Sequence, residues 1–269
     1  MAGYRTSQLR AVCRRVHDRT ILADRYHETP IKITKTFQQD NGALSMILMD
    51  VSPGLMDGDR YIITMRLEEA AHVQLTTQSY TKVHPTPHLP AITDYTFELD
   101  QGAILEYFPE PTIPYASSTL IAHNRFNLAD RAVLIFAEIT TPGRTHRGEL
   151  FQFDALTSFT EVYRNNQLIG WDRFQLEPAL HNYEALGAFE NYTHMGSFWI
   201  FADFAGEALL ARIREALPSP DSPDEPLAGA SLTADHGIAV RMLGTRVWQL
   251  EQLRDRLSAL CQDLLPAIP

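Results

Sequence analysis

The sequence predicts a mainly β protein in which two helices come late in the chain. Between Leu9 and Leu176, apolar and polar residues alternate in short runs, which is the period-two pattern of strands. Turn-forming residues such as Gly42, Pro53 and Gly102 separate these runs. In the last quarter of the chain, apolar residues instead recur every three or four positions, as in helices. Many short strands at this spacing predict a sandwich, a barrel or a β-solenoid.

The strand signals follow one another from the N-terminus. Leu9, Ala11 and Cys13 alternate with other residues, and this first element is either a strand or a short basic helix, of which we favour the strand. Residues 132–139 are apolar almost throughout, which is typical of a more fully buried strand. Clear alternation is present in three further stretches: 31–34, 63–67 and 73–78. We therefore expect the β-rich part to extend over residues 9–204.

Two helices, a loop and two more strands are predicted after the β-rich part. The three-to-four-residue spacing predicts one helix over residues 205–217 and a C-terminal helix over residues 245–264. The sequence PSPDSPDEP ends the first helix and predicts a loop over residues 218–226. Two strand signals occupy residues 229–243. A single domain over residues 1–269 accounts for this pattern.

The charge balance limits the classes of partner. The chain has 269 residues with 33 acidic and 23 basic side chains, which gives a net charge of -10. Such an acidic chain is a poor match for nucleic acid or for an anionic membrane surface. No apolar stretch approaches the roughly 20 residues that a membrane-spanning helix requires. Cys13 and Cys261 lie far apart, and no secretory signal is evident. We therefore expect a reduced cytoplasmic protein with no nucleic-acid or membrane partner.

The common enzyme motifs are absent from the sequence. It contains no G-x-x-x-x-G-K-[ST], G-x-G-x-x-G, G-x-S-x-G or H-E-x-x-H pattern. Asp57, Asp59 and Glu68 match positions one, three and twelve of a calcium loop. However, Tyr61 and Ile62 occupy the ligand and glycine positions between them, which excludes an EF-hand. We therefore predict no catalytic residue and no tightly bound cofactor.

The closest histidine pair is His84 with His88 in the sequence HPTPH. Its two prolines keep this segment extended, and one pair supplies only two of the three or four ligands that a stable metal site requires. We therefore interpret HPTPH as a rigid surface turn. A nickel storage protein would need dense histidine or cysteine tracts, and the sequence has none.

Six polar residues lie beside turns and apolar strands, where a buried charge requires a partner or water. Two interpretations remain open. The residues cap turns and form internal ion pairs, for example Arg144 with Glu149, or several of them line one polar cavity. The six are Asp59, Thr77, Lys82, Glu106, Arg144 and Glu149.

The segments that contain these residues resemble one known family. In order along the chain they read SPGLMDGDRY, TTQSYTKV, GAILEYFPEPTIPY and GRTHRGELF, and an RMLG strand then leads into the final helix. This order is similar to that of the UreD (UreH) family of urease accessory proteins, and the similarity extends from Leu9 to Leu264. The chain departs from the family in a turn with less glycine, Ser52–Leu55, and in the proline-rich loop HPTPHLP.

The resemblance implies a non-enzymatic scaffold with a β-helix-like arrangement of many short strands and two late helices. Members of the family bind apo-urease, recruit the UreF and UreG accessory proteins, and assist nickel insertion into the urease active site, where a carbamylated lysine bridges the metals. GTP hydrolysis belongs to UreG, and the absence of a phosphate-binding loop here agrees with that division. The expected partners are thus UreF, UreG and apo-urease, with nickel in transit.

The resemblance also implies a water-filled internal passage for nickel. Asp59 and Glu149 would hold nickel transiently, and the other four polar residues would lie nearby. Carboxylates and water suit this task because they bind a borderline cation weakly enough to release it. The rival function is a β-solenoid carbohydrate-active enzyme, which would use Asp59 and Glu149 as acid and base about 5 to 10 Å apart in an open cleft.

Overall fold

Two β-sheets packed face to face, with two helices on the outer face of one of them, form the structure. We describe it from a computed structural model, for residues 3–219, 222 and 224–265. The strands are β1 (Arg5–Val16), β2 (Arg19–His27), β3 (Ile31–Gln38), β4 (Leu44–Asp50), β5 (Asp59–Leu67), β6 (His72–Thr77), β7 (Thr81–Val83), β8 (Ala91–Leu99), β9 (Ile104–Phe108), β10 (Thr112–Pro114), β11 (Thr119–Leu128), β12 (Val133–Thr140), β13 (Ala155–Arg164), β14 (Gln167–Leu176), β15 (His194–Phe201), β16 (Leu227–Leu232) and β17 (Gly237–Gly244). The helices are α1 (Glu207–Ala216) and α2 (Val247–Gln262).

The chain winds between the sheets as a β-solenoid. The first sheet has the order β14-β13-β11-β8-β5-β1-β2, and the second has the order β16-β17-β15-β12-β9-β6-β4-β3. Strands β1, β5, β8, β11 and β13 pair in parallel in the first sheet, and β4, β6, β9 and β12 do so in the second. The short strands β7 and β10 pair in parallel at a third side. The mainly β, β-helix-like fold with two late helices is therefore confirmed.

Apolar side chains at matched register levels form the core between the sheets. Met65, Phe97 and Phe126 occupy the same level of β5, β8 and β11, and all three are fully buried. The rings of Phe97 and Phe126 stack with their centroids 5.1 Å apart. Period-two alternation produces this stack, because every second residue of a strand points to the same face.

A second core lies between the outer face of the second sheet and the helices. Strand β12 contributes Val133, Ile135, Ala137 and Ile139 to this core, while the alternate residues Leu134 and Phe136 face the first sheet. In α2 the predicted leucine stripe is buried at Leu250, Leu253 and Leu257. The helices thus cover an apolar sheet face that would otherwise contact water.

The elements differ from the predictions mainly at their ends. The first element is a strand that begins at Arg5, and both helices begin two residues later than the spacing predicts. Part of the predicted loop 218–226, namely residues 220, 221 and 223, lies outside the described residues. No helix within the described part of the chain is long and apolar enough to cross a membrane.

Candidate functional site

A line of polar side chains interrupts the core between the two sheets. Tyr95, Asn124, Thr160 and Asp172 stand at one register level of β8, β11, β13 and β14. Their strand neighbours on the same face, such as Phe126, belong to the core, so the four side chains point between the sheets. Asn124 is 8% exposed and Thr160 is 3% exposed. Polar groups therefore cross the solenoid perpendicular to its strands.

The second sheet contributes matching polar groups from the opposite side. Glu138, Ser197 and Arg241 pair in register across β12, β15 and β17. The hydroxyl of Ser158 in β13 donates to Glu138 Oε2 at 2.9 Å, and Ser197 donates to Glu138 Oε1 at 3.4 Å. Glu138 therefore bridges the sheets. Burial raises the pKa of Glu138, although the two hydrogen bonds partly oppose this shift.

One end of this line is an ion pair, and several polar atoms beside it lack hydrogen-bond partners. Arg241 pairs with Asp172, and its guanidinium lies 5.2 Å from the centroid of the Trp199 ring. Four buried atoms here have no hydrogen-bond partner among the described residues: Thr160 Oγ1, Asp172 Oδ2, Trp199 Nε1 and Arg241 Nη1. Buried polar groups in folded proteins almost always bind protein or internal water. The cluster therefore indicates a hydrated interior.

The other end of the line is a cavity of about 70 Å³ with a mixed polar and apolar lining. Asp50, Tyr61 and Tyr95 line it, and Tyr61 Oη donates to Asp50 Oδ2 at 3.1 Å. Burial raises the pKa of both tyrosines. The wall turns sharply at Gly54, whose φ is 138° and where a Cβ would lie 2.5 Å from the carbonyl oxygen of Lys82. Only glycine fits this approach.

Three of the six predicted residues lie at or beside this cavity. Thr77 and Lys82 line it. Thr77 Oγ1 accepts from the Glu110 N–H at 2.9 Å, so this side chain also fixes the neighbouring loop. Asp59 begins β5 on the same strand face as Tyr61. Its Oδ2 accepts from the Met56 N–H at 2.8 Å, and its Oδ1 forms a 2.9 Å ion pair with Arg5.

Arg144 and Glu149 form a separate ion pair beyond β12. Arg144 Nε donates to Glu149 Oε2 at 2.7 Å, and the guanidinium lies 4.1 Å from the centroid of the Tyr115 ring. This hydrogen bond lowers the pKa of Glu149. The structure therefore shows the ion pair that the first interpretation of the six residues expected. Asp59 and Glu149 are each bound to a different arginine, which does not favour an acid and base pair.

Glu106 lies on the far side of the second sheet. Its neighbours Leu105 and Tyr107 point into the core between the sheets, so Glu106 points towards α2. Its Oε1 lies 2.8 Å from His72 Nε2, and its Oε2 accepts from Gln262 Nε2 at 3.1 Å. Burial acts to raise the pKa of Glu106, but hydrogen bonds to His72, Gln262 and Gln74 outweigh it, so the pKa is lowered.

Sequence reasoning missed most of the polar line between the sheets. Its clearest signal lies in β13, where Ser158 and Thr160 occupy inward positions between Leu156 and Val162. The histidine pair forms no metal site, since His84 Nε2 lies 3.2 Å from the Pro53 carbonyl oxygen while His88 binds Asp57. Within the described ranges, no three His, Cys, Asp or Glu side chains are grouped closely enough to hold a metal ion.

Comparison with known proteins identifies the family. The family model of the UreD urease accessory protein matches residues 5–268. The chain belongs to the UreD family. The urease accessory protein UreD of Acetivibrio thermocellus is 33% identical over 236 residues, which cover 87% of this chain and 89% of that protein. The UreD of Bacillus sp. strain TB-90 is 30% identical over 251 residues, 93% and 92% of the two chains. The UreD of Staphylococcus epidermidis is 28% identical over 235 residues, 87% and 84% of the two chains.

Proposed function

We propose that this UreD-family protein is a non-enzymatic scaffold of urease assembly. It binds apo-urease, recruits UreF and UreG, and conducts nickel towards the urease active site in the cytoplasm. Family membership and relatives that are named urease accessory proteins support the scaffold role. The free and buried cysteines Cys13 and Cys261 agree with a reducing compartment.

The observation that carries the nickel route is the polar line between the sheets. From the cavity at Tyr61 it crosses β8, β11 and β13 to Asp172 in β14. Four interstrand steps of about 4.8 Å give the route a length of roughly 19 Å. The polar atoms without a protein partner at the Asp172 end would each cost about 1 to 3 kcal/mol if nothing bound them, which supports a hydrated route.

The chemistry of the line suits a cation in transit. Its side chains present carboxylate, hydroxyl and amide oxygens, which exchange readily with water around a borderline cation such as Ni²⁺. Glu138 supplies negative charge, Arg241 offsets the charge of Asp172, and Asp172 Oδ2 has no protein donor among the described residues. Because no three His, Cys, Asp or Glu side chains of the described residues surround one point, nickel is held weakly and moves on.

The test is reconstitution of urease activation. The tagged chain is expressed with UreF, UreG and apo-urease, and urease activity is measured after nickel and bicarbonate are added, with and without this chain. We expect co-elution of the partners and activation that depends on the chain. A soluble chain that elutes alone and leaves activation unchanged would refute the scaffold role.

A further inference from the structure

A groove between α2 and the outer face of the second sheet contains more carboxylates than cations. It encloses about 380 Å³ at the ends of β6 and β9. Helix α2 forms one wall, and strands β6 and β9 of the second sheet form the floor. The residues that matter here are Glu106, Phe108, Glu110, Arg254, Asp255 and Ser258. Glu251 of α2 lies close enough to act electrostatically on Glu110.

Glu110 is the unbalanced charge of the groove. Its backbone N–H is bonded to Thr77, but its carboxylate forms no ion pair and no hydrogen bond with any described residue. Burial raises the pKa of Glu110, repulsion by Glu251 adds to the shift, and Arg254 opposes it. A cation beside this carboxylate would offset the free-energy cost of burying its charge.

Ser258 supplies a second, independent sign of a ligand. This residue lines the groove from α2 and is only 6% exposed. Its hydroxyl makes no hydrogen bond within the described part of the chain. Because its oxygen is not fully enclosed, the hydroxyl opens into the groove and is available to whatever occupies the groove, water included.

The groove already accommodates a guanidinium. Arg254 places its guanidinium 5.8 Å from the centroid of the Phe108 ring and donates from Nε to Asp255 Oδ1 at 2.8 Å. This contact neutralises the carboxylate of Asp255, and no described residue forms an ion pair with Glu110, on which Arg254 acts only at longer range. The stem of a second long side chain in the groove would pack against the aromatic wall that Phe108 forms.

The occupant is better described as an elongated cation than as a metal ion. Within residues 3–219, 222 and 224–265, no three metal-binding side chains are grouped here or elsewhere. The carboxylates instead follow the groove, and a planar guanidinium matches a carboxylate with two parallel hydrogen bonds. We propose that this groove binds an arginine side chain presented by a partner protein, with the guanidinium between Glu110 and Ser258. The inference rests on the proposed function only in that the partner belongs to the urease assembly.

The direct test is a titration of the isotope-labelled full chain by NMR. The probe is N-acetyl-arginine amide, and the matched control is N-acetyl-citrulline amide, which has the same shape without the charge. We expect saturable shifts at Ser258 and Glu110 with the arginine compound and none there with the citrulline compound. Glu110→Gln should weaken binding about three- to tenfold, while Glu184→Gln, in an exposed loop, should leave it unchanged.

The second arm uses the assembly itself. Glu110→Lys, checked for native spectra, should reduce co-elution with at least one of UreF, UreG and apo-urease, whereas Glu184→Lys should not. Equal shifts with both probes, binding that survives Glu110→Gln, or unchanged co-elution of Glu110→Lys would overturn the proposal. If the arginine probe binds but activation does not depend on the chain, the proposed function fails while the groove retains its ligand.

Discussion

Replacing Glu138 by glutamine tests the nickel route at the carboxylate that bridges the two sheets. The substitution keeps the shape of the side chain and removes its charge. One serine, either Ser158 or Ser197, can still donate to the amide oxygen, and the other can rotate to accept from the amide nitrogen. The variant should therefore fold with the two sheets still bridged.

The expected change in stability is small because two effects oppose each other. Loss of a charge-assisted hydrogen bond costs about 1 kcal/mol. However, the raised pKa of Glu138 means that its ionised form is disfavoured in the folded state. Stability from this group is complete below the ordinary carboxyl pKa and is lost as the pH rises through the raised value. At pH 7 glutamine avoids that loss, so the free energy of unfolding should change by less than about 1 kcal/mol.

The expected change in activation is large. A carboxylate about 5 Å from a divalent ion contributes about 6 to 7 kcal/mol of attraction at an effective dielectric of 20, and desolvation cancels most of it. If about 1.4 kcal/mol of net attraction remains after desolvation, the loss of that attraction slows nickel transfer tenfold. We therefore expect at least a tenfold lower rate of urease activation, with co-elution of the partners intact.

Glu161→Gln provides the matched control. Glu161 lies in β13 between the inward residues Thr160 and Val162, so it faces outward, where it accepts from Arg125 Nε at 3.0 Å. This variant removes the same charge from the other face of the sheet and should activate urease normally. Wild-type activation by Glu138→Gln, with assembly and folding intact, would show that nickel does not pass Glu138.

Three further outcomes are expected. Asp59→Ala and Glu149→Ala should leave the fold and partner binding intact but lower urease activation, and unfolding of both in circular dichroism would instead indicate a structural role. Leu257→Ala should destabilise the chain by about 2 to 4 kcal/mol in urea, because this side chain is fully buried between α2 and the second sheet. Because hydrogen bonds lower the pKa of Glu106, its stabilisation is present above pH 4.5 and is lost as the pH falls through the lowered value. Glu106→Gln should flatten that acid-side loss in thermal melts, and an unchanged profile would contradict it.

The fold could be predicted further than the site. Period-two alternation identifies strands from local sequence, and the leucine spacing identifies α2. Glu106 and Glu138 show why the site is harder. Each is a glutamate in an apolar strand, yet strand parity directs Glu106 towards α2 and Glu138 between the sheets.

The polar line depends on contacts that no local pattern contains. Asn124 meets Thr160 only because β11 and β13 pair in parallel at one register, 36 positions apart in the sequence. Alternation shows that both face inward, but it does not show which residues of successive coils share a level. The Arg144 and Glu149 pair was accessible from sequence because its members are five residues apart.

In the solenoid, the side chain that one coil places on the polar line can change without a change in the other coils. Strands β8, β11 and β13 of the first sheet each contribute one side chain to the line, while the backbone hydrogen bonds are made by other atoms of the same strands. A substitution at such a position alters the potential along the axis without breaking the ladder. On the proposed nickel route, such a substitution would change how quickly an ion advances, or which ion does, without a change in the architecture.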